Sequence, residues 1–352
     1  AVYTTIDNPG LFFNTVLYTG NGTDDHAITG VNFQPDFVWI KTRSEANNHN
    51  LYDVIRGVNK PLKSNSTASE FTRTDALKSF DSDGFTLDDD ATSDEVNKNT
   101  VTYASWNWLG ANGTASNSDG SITSTVSANQ TAGFSIVSYT GNATAGATIG
   151  HGLGVAPKWV IVKNRINAQN WFIYHIGIGA TKVIYLDLTN APQTLTQGWN
   201  DTAPTSSVVS LGTEAGTNQS GSNMIAYCFA EKQGYSKFGS YTGNGNADGT
   251  FVYTGFKPAW VMIKRTNTSG DAWVLFDNKR PGHNLTDNFL EADASGSEAV
   301  DNPNQRLDML SNGFKIRGTG TATNTSGSTY IYMAFAEAPF VTAGTKAAGT
   351  AR

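Results

Sequence analysis

Three segments of this chain are apolar on both alternating faces: Phe37-Val-Trp-Ile40, Trp159-Val-Ile-Val162 and Trp260-Val-Met-Ile263. A strand with one wet face alternates apolar and polar residues, so these segments predict central strands covered on both sides. Each is led by a proline (Pro35, Pro157, Pro258) and ends six residues after it on a lysine (Lys41, Lys163, Lys264). Pro at the entry of a strand is where a sheet tolerates one. Upstream of each stands the same turn phrase, Tyr18-Thr-Gly-Asn-Gly, Tyr139-Thr-Gly-Asn-Ala and Tyr241-Thr-Gly-Asn-Gly, at Tyr-to-Pro spacings of 17, 18 and 17. A phrase repeated about every 100–120 residues predicts three copies of one small domain.

Two further segments align. Leu51-Tyr-Asp53, Ile173-Tyr-His175 and Leu275-Phe-Asp277 form a third strand. Tyr103-Ala-Ser-Trp106, Ala226-Tyr-Cys-Phe229 and Met333-Ala-Phe335 close each repeat. Short strands separated by turn clusters predict an all-β chain of three tandem antiparallel β-sandwiches, jelly-roll or lectin-like. The expected divisions are a leader over 1–16, repeats over 17–110, 133–238 and 239–340, a polar linker over 111–132, and a tail over 341–352. The linker is rich in Gly, Asn, Ser and Thr and predicts a flexible or extended connection, with the first repeat the more independent. The short junction Lys232–Phe238 predicts that the second and third repeats pack together. The tail is expected to fray or to contact a neighbour. Thr67-Ala-Ser-Glu70 resembles a capping box and predicts one short helix near Ser66–Lys78.

Composition agrees. Only 15% of residues are charged, while the chain holds 36 glycines and 11% aromatics, a balance suited to turns and small sandwich cores. A formal net charge of −6 without a basic stripe argues against nucleic acid. A lone Cys228 excludes an internal disulfide framework, and no apolar run reaches the roughly 18 residues of a membrane span. Ala1-Val-Tyr-Thr-Thr lacks the basic stretch of a signal peptide.

Several groups invite chemistry. Phe80-Asp-Ser-Asp-Gly-Phe85, with Asp88-Asp-Asp90 after it, resembles part of a calcium loop. The third repeat has Leu310-Ser-Asn-Gly-Phe314 in its place, which favours a hairpin turn, with Asp88–Asp90 a solvated loop. Glu231 and Glu337 follow closing strands, but they lie in different repeats. Two glycosidase carboxylates must converge within about 5–10 Å, so edge charges are the favoured reading. Asp53 and Arg56, and again Asp277 and Arg280, stand three apart, while the second repeat has His175 and Ile178. These are either ion pairs that fix a loop or a polar ligand clamp. Trp171 and Trp273, where the first repeat has His49, are either sugar-stacking platforms or core. His26, His49, His151, His175 and His283 show no metal-ligand spacing, and neither a phosphate-binding nor a dinucleotide-binding motif occurs. Gly150-His-Gly-Leu-Gly154 precedes a strand and reads as a turn. No metal, cofactor or catalytic residue is expected.

The phrases Tyr-Thr-Gly-Asn-Gly, Phe-Gln-Pro-Asp-Phe-Val-Trp-Ile-Lys, Asp-Ser-Asp-Gly-Phe and Gly-Phe-Lys-Pro-Ala-Trp-Val-Met-Ile-Lys resemble repeats in virion structural and tail-fibre-like proteins of marine tailed bacteriophages. The resemblance covers about residues 3–340 and implies concanavalin- or SPRY-like sandwiches without an established catalytic motif. It implies a virion surface protein, extracellular, that binds host cell-surface glycan without catalysis, alongside other virion proteins, as a homotrimer. A capsid decoration or cementing role is the alternative, and a surface-polysaccharide depolymerase a third. A ligand site would then draw on Asp53, Arg56, Trp171, His175, Trp273, Asp277 and Arg280.

Overall fold

A computed structural model describes residues 4–342, so the outermost parts of the expected leader (1–3) and tail (343–352) lie outside the described residues. The architecture is all-β and antiparallel. Each repeat contributes a main sheet of the same four strands. The opening strands are Phe13–Thr19, Phe134–Thr140 and Ser236–Thr242, and the Pro-led strands are Phe37–Thr42, Trp159–Asn164 and Phe256–Arg265. The third strands are Asn50–Asp53, Phe172–His175 and Val274–Asp277, and the closing strands are Thr102–Trp108, Asn223–Phe229 and Thr329–Pro339. In all three sheets the order is opening, closing, Pro-led, third. The register repeats as well: Phe37 faces Trp108, Trp159 faces Phe229 and Trp260 faces Phe335.

A smaller sheet covers the outer face of each main sheet. It is built from His26–Thr29, Gly84–Leu87 and Leu77–Asp81 in the first repeat, and from Ala147–Gly150 and Val208–Leu211 in the second. In the third it is built from Phe251–Tyr253, Gly313–Ile316 and Leu307–Leu310. The doubly apolar Pro-led strands follow from this. Val38 and Ile40, Val160 and Val162, and Val261 and Ile263 point outward into three separate cores beneath the small sheets.

The opposite faces of the same strands meet. Phe37, Trp39, Trp159, Ile161, Trp260 and Met262 all belong to one central core, together with closing-strand residues Trp106, Trp108, Tyr227, Phe229, Met333 and Phe335. Seven of the eight tryptophans lie in it. Trp108 packs against Phe229, Trp260 and Phe335, with ring centroids 5.7–6.4 Å apart, so side chains of all three repeats touch at the centre. Rings that bury about 150–250 Å² each make this the main apolar payload of the chain.

Three expectations change. The first repeat is not the independent one, because Phe13, Trp39 and Trp106 sit in the shared core. The segment read as a polar linker carries two strands, Ala115–Asn117 and Ser124–Asn129, which extend the main sheet of the second repeat. Ile122, Val126 and Ala128 supply the apolar side there, and the small Ser127 on the opposite face is buried against Asp36. No helix forms near Ser66–Lys78. Leu77–Asp81 is a strand, and Glu70 is drawn away to Arg165 of the second repeat at 2.9 Å. Within the leader, Ile6 and Phe13 anchor in the central core, while Leu11 is 45% exposed.

Candidate functional site

The residues proposed as a ligand site lie inside the protein, at the joints between repeats. Trp171 and Trp273 are 0% exposed. Each donates its indole N–H to a backbone carbonyl of the preceding repeat: Trp171 to Lys63 at 2.8 Å, and Trp273 to Tyr185 at 2.8 Å. His49, their counterpart in the first repeat, places Nε2 2.9 Å from the Glu291 carbonyl of the third. Its Nδ1 accepts from the Trp39 indole at 2.8 Å, which leaves the Nε2 proton to donate. The three accepting carbonyls are themselves equivalent. Each follows the residue that faces Leu51, Ile173 or Leu275 across the edge of its sheet. First bonds to third, second to first and third to second, so the three joints close a ring. The sugar-platform reading of Trp171 and Trp273 is thereby corrected, since neither ring has a free face.

Asp53 and Arg56 are buried and joined at 2.5 Å, and Asp277 and Arg280 at 2.7 Å. Both aspartates also accept backbone N–H groups two and three residues on, which fixes a tight turn after the third strand. Both reach across a joint to the same position of a neighbouring closing strand. Tyr227 donates its hydroxyl to Asp53 at 2.7 Å, and the Trp106 indole donates to Asp277 at 3.1 Å. The third closing strand has Met333 there, which donates nothing, and the residue facing that repeat is His175 instead of Asp. His175 Nδ1 accepts from the Gly177 N–H at 2.9 Å. Its Nε2 is directed to the Tyr332 backbone without a well-formed hydrogen bond, and burial first of all pushes its pKa down to about 3. The outer ends of the arginines repeat the theme. Glu70 joins Arg56 (3.6 Å) to Arg165 (2.9 Å), and Glu298 joins Arg280 (3.5 Å) to Arg43 (2.7 Å). Ile178 removes the arginine from the remaining joint. Variation among the repeats is therefore matched across the joints, and the clamp reading of Asp53, Arg56, Asp277 and Arg280 gives way to buried inter-repeat locks.

The lysines that end the Pro-led strands are buried too. Lys41 reaches the Ser295 carbonyl of the third repeat at 3.3 Å, and Lys163 the Thr67 carbonyl of the first at 2.7 Å. Lys163 and Lys264 lie over Trp171 and Trp273, at 5.8 and 5.9 Å from the ring centroids. Burial pushes all three lysines down to about 8.

The calcium-like segment is a hairpin in which Asp81 pairs with Gly84. Asp83 accepts the N–H groups of Gly30 (3.1 Å) and Asn32 (2.6 Å), which is turn chemistry. Among the described residues no group of three or more acidic, His or Cys side chains is placed to hold a metal. Asp90 is not solvated as expected: it is buried against Arg73 and accepts the Val96 and Asn97 N–H groups. Glu231 pairs with Lys158 (3.0 Å) and Lys237 (3.1 Å), and Glu337 with Lys257 (2.8 Å). No helix among the described residues is long and apolar enough to cross a membrane.

Several clefts open on the surface of the described residues, and two of them bear on ligand binding. One, of about 620 Å³, lies in the second repeat between the Ala115–Asn117 strand and the Gly152–Gly154 turn, and is lined by small and polar residues including Asn117, Asp119 and Gln130. The other, of about 350 Å³, lies at the junction of the second and third repeats, between Tyr253 on one side and Glu231, Gln233 and Lys237 on the other. Tyr253 was missed in the sequence, although comparing repeats marks it: the strands that hold it, Thr29 and Gly150 share one register in the three small sheets.

The chain belongs to the family described as a domain of unknown function, DUF7483, which matches it over residues 8–339. That single match reaches into all three repeats and takes in the central core apart from Ile6. No curated protein and no solved structure matches the chain.

Proposed function

We propose that this chain is a surface component of a tailed-phage virion, part of a tail or head fibre, that attaches to host-envelope glycan without chemistry of its own. The repeat phrases support the virion assignment through their resemblance to marine phage structural proteins. The observation that carries the binding role is how the polar residues are divided. The Asp–Arg pairs, the third-strand histidine and the lysines Lys41 and Lys163 are committed to the ring of joints. The outer surfaces differ from repeat to repeat, as Thr29, Gly150 and Tyr253 do in one register of the small sheets. A rigid body with variable outer surfaces suits recognition, in which specificity sits on loops held by a scaffold. Individual contacts of this kind are weak, and presentation of several copies on one particle multiplies them. The test is binding of the full chain to host cells, together with its position on the intact particle. Saturable binding and density at a fibre support the proposal. No binding, with density spread over the capsid lattice, would replace it with a decoration role.

A further inference from the structure

We infer that the cleft beside Tyr253 is a saccharide subsite, with the tyrosine ring as its stacking wall. The inference rests on the glycan-binding reading for its ligand class, and on the structure for its place. The strand Phe251–Tyr253 is the edge of the third small sheet, and it turns Phe251 and Tyr253 outward while Val252 enters the core. They are 44% and 59% exposed.

The two rings differ in what they do for the fold. Phe251 lies over Gly313 of the neighbouring strand, where an added Cβ would come within 3.2 Å of it, so it covers a backbone gap. Tyr253 lies more loosely, near Gly255 of its own turn, where an added Cβ would come no closer than 3.6 Å to its side chain, and it is the more exposed of the two. The first repeat has Thr29 in this register. The second has Gly150, and Asn117 from the inserted strand sits on that glycine. The first and third repeats leave the place exposed, and the third puts an aromatic ring there.

The surroundings complete a sugar site. Across the cleft stand the Glu231 carboxylate, the Gln233 amide and the Lys237 ammonium, which offer acceptors and donors to hydroxyl groups. Glu231 is already held by Lys158 and Lys237, so two ammonium groups face a single carboxylate. That balance admits a neutral or an acidic sugar and disfavours a cationic ligand. A tyrosine face carries negative quadrupole density and suits the C–H face of a pyranose ring, and a volume near 350 Å³ lies within the range of small-ligand sites. Phe340 and Val341 add apolar wall beside the tyrosine, while Glu231, Gln233, Ser236, Lys237 and Thr254 supply the polar side. Gly255 sits at φ +84° beside the tyrosine, a conformation that admits glycine, and it fixes the turn under the ring.

The test is saturation-transfer NMR and titration of the full chain with methyl glycosides of glucose, galactose, N-acetylglucosamine and glucuronic acid, for the native protein and for Tyr253→Ala and Lys237→Met. The expected result is binding of at least one glycoside, a tenfold or greater loss in Tyr253→Ala, and an unchanged melting temperature in that variant. Native binding that survives Tyr253→Ala overturns the site but leaves the glycan reading intact. Binding of no glycoside overturns the ligand class. Host-cell binding abolished by protease but not by periodate overturns it in favour of a protein partner.

Discussion

Tyr227 of the second repeat donates its hydroxyl to the Asp53 carboxylate of the first at 2.7 Å, inside the protein and across a joint. The same carboxylate holds Arg56, whose guanidinium also reaches the Leu51 carbonyl at 2.8 Å. A hydrogen bond to a buried charge contributes about 1.5–3 kcal/mol, whereas a buried charge stripped of its partner costs about 3–5 kcal/mol. Tyr227→Phe should therefore lower unfolding stability by about 1.5–3 kcal/mol, and Asp53→Ala by more, because Arg56 is left unpaired. Urea denaturation of both variants measures the difference.

Trp171 and Trp273 carry the other half of the ring closure. Trp273→Ala should cost about 3–5 kcal/mol, the usual range for truncating a buried aromatic residue. Neither Trp171→Phe nor Trp273→Phe should change affinity for any ligand on the surface, because both rings are fully buried. Stability and cell binding measured side by side on these variants separate a joint from a stacking platform.

The Pro-led strands were legible because their pattern, apolar on both faces, has one physical cause: a cover on each side. What one strand cannot reveal is what the second cover is. The composition of Trp159-Val-Ile-Val162 is the same whether Trp159 meets a sheet of its own repeat or of another. The joints had a signal in the variation itself. Asp53 and Asp277 face Tyr227 and Trp106, which donate, while His175 falls to the repeat whose partner position is Met333. Such matching shows only once the register of the closing strands is known. The strands within 111–132 were hidden for another reason: they are short and mostly polar. Tyr253 was hidden because a lone exposed aromatic residue has no pattern, and its meaning comes from Thr29 and Gly150 in the same register.

The buried lysines set a pH dependence. Their folded values of about 8 lie below the roughly 10.4 of an unfolded lysine, so between those values the unfolded chain binds more protons. Stability then rises with pH across that window, by at most about 1.4 kcal/mol per pH unit for each lysine. The buried Cys228 thiol is pushed up by burial and acts in the opposite direction. Buried tyrosines reverse the trend above about pH 10. The urea midpoint should be higher at pH 9.5 than at pH 8, and Lys163→Met should remove about a third of the lysine contribution.

Cys228 is wholly buried on the closing strand of the second repeat, in that repeat's outer core. Its thiol should resist an aromatic disulfide reagent in the native protein and react at the rate of unfolding. Because the outer core shares its strands with the central one, the labelling rate should rise in Trp273→Ala, although that residue belongs to the third repeat. Unchanged labelling would show that the second repeat opens by itself.

The central claim is that three repeats form one cooperative body around a shared core. Scanning calorimetry of the full chain tests it most directly, through the ratio of van't Hoff to calorimetric enthalpy. A single transition with a ratio near one is the predicted result. A ratio near one third, or three resolved transitions, would mean that the repeats unfold separately and would contradict the account.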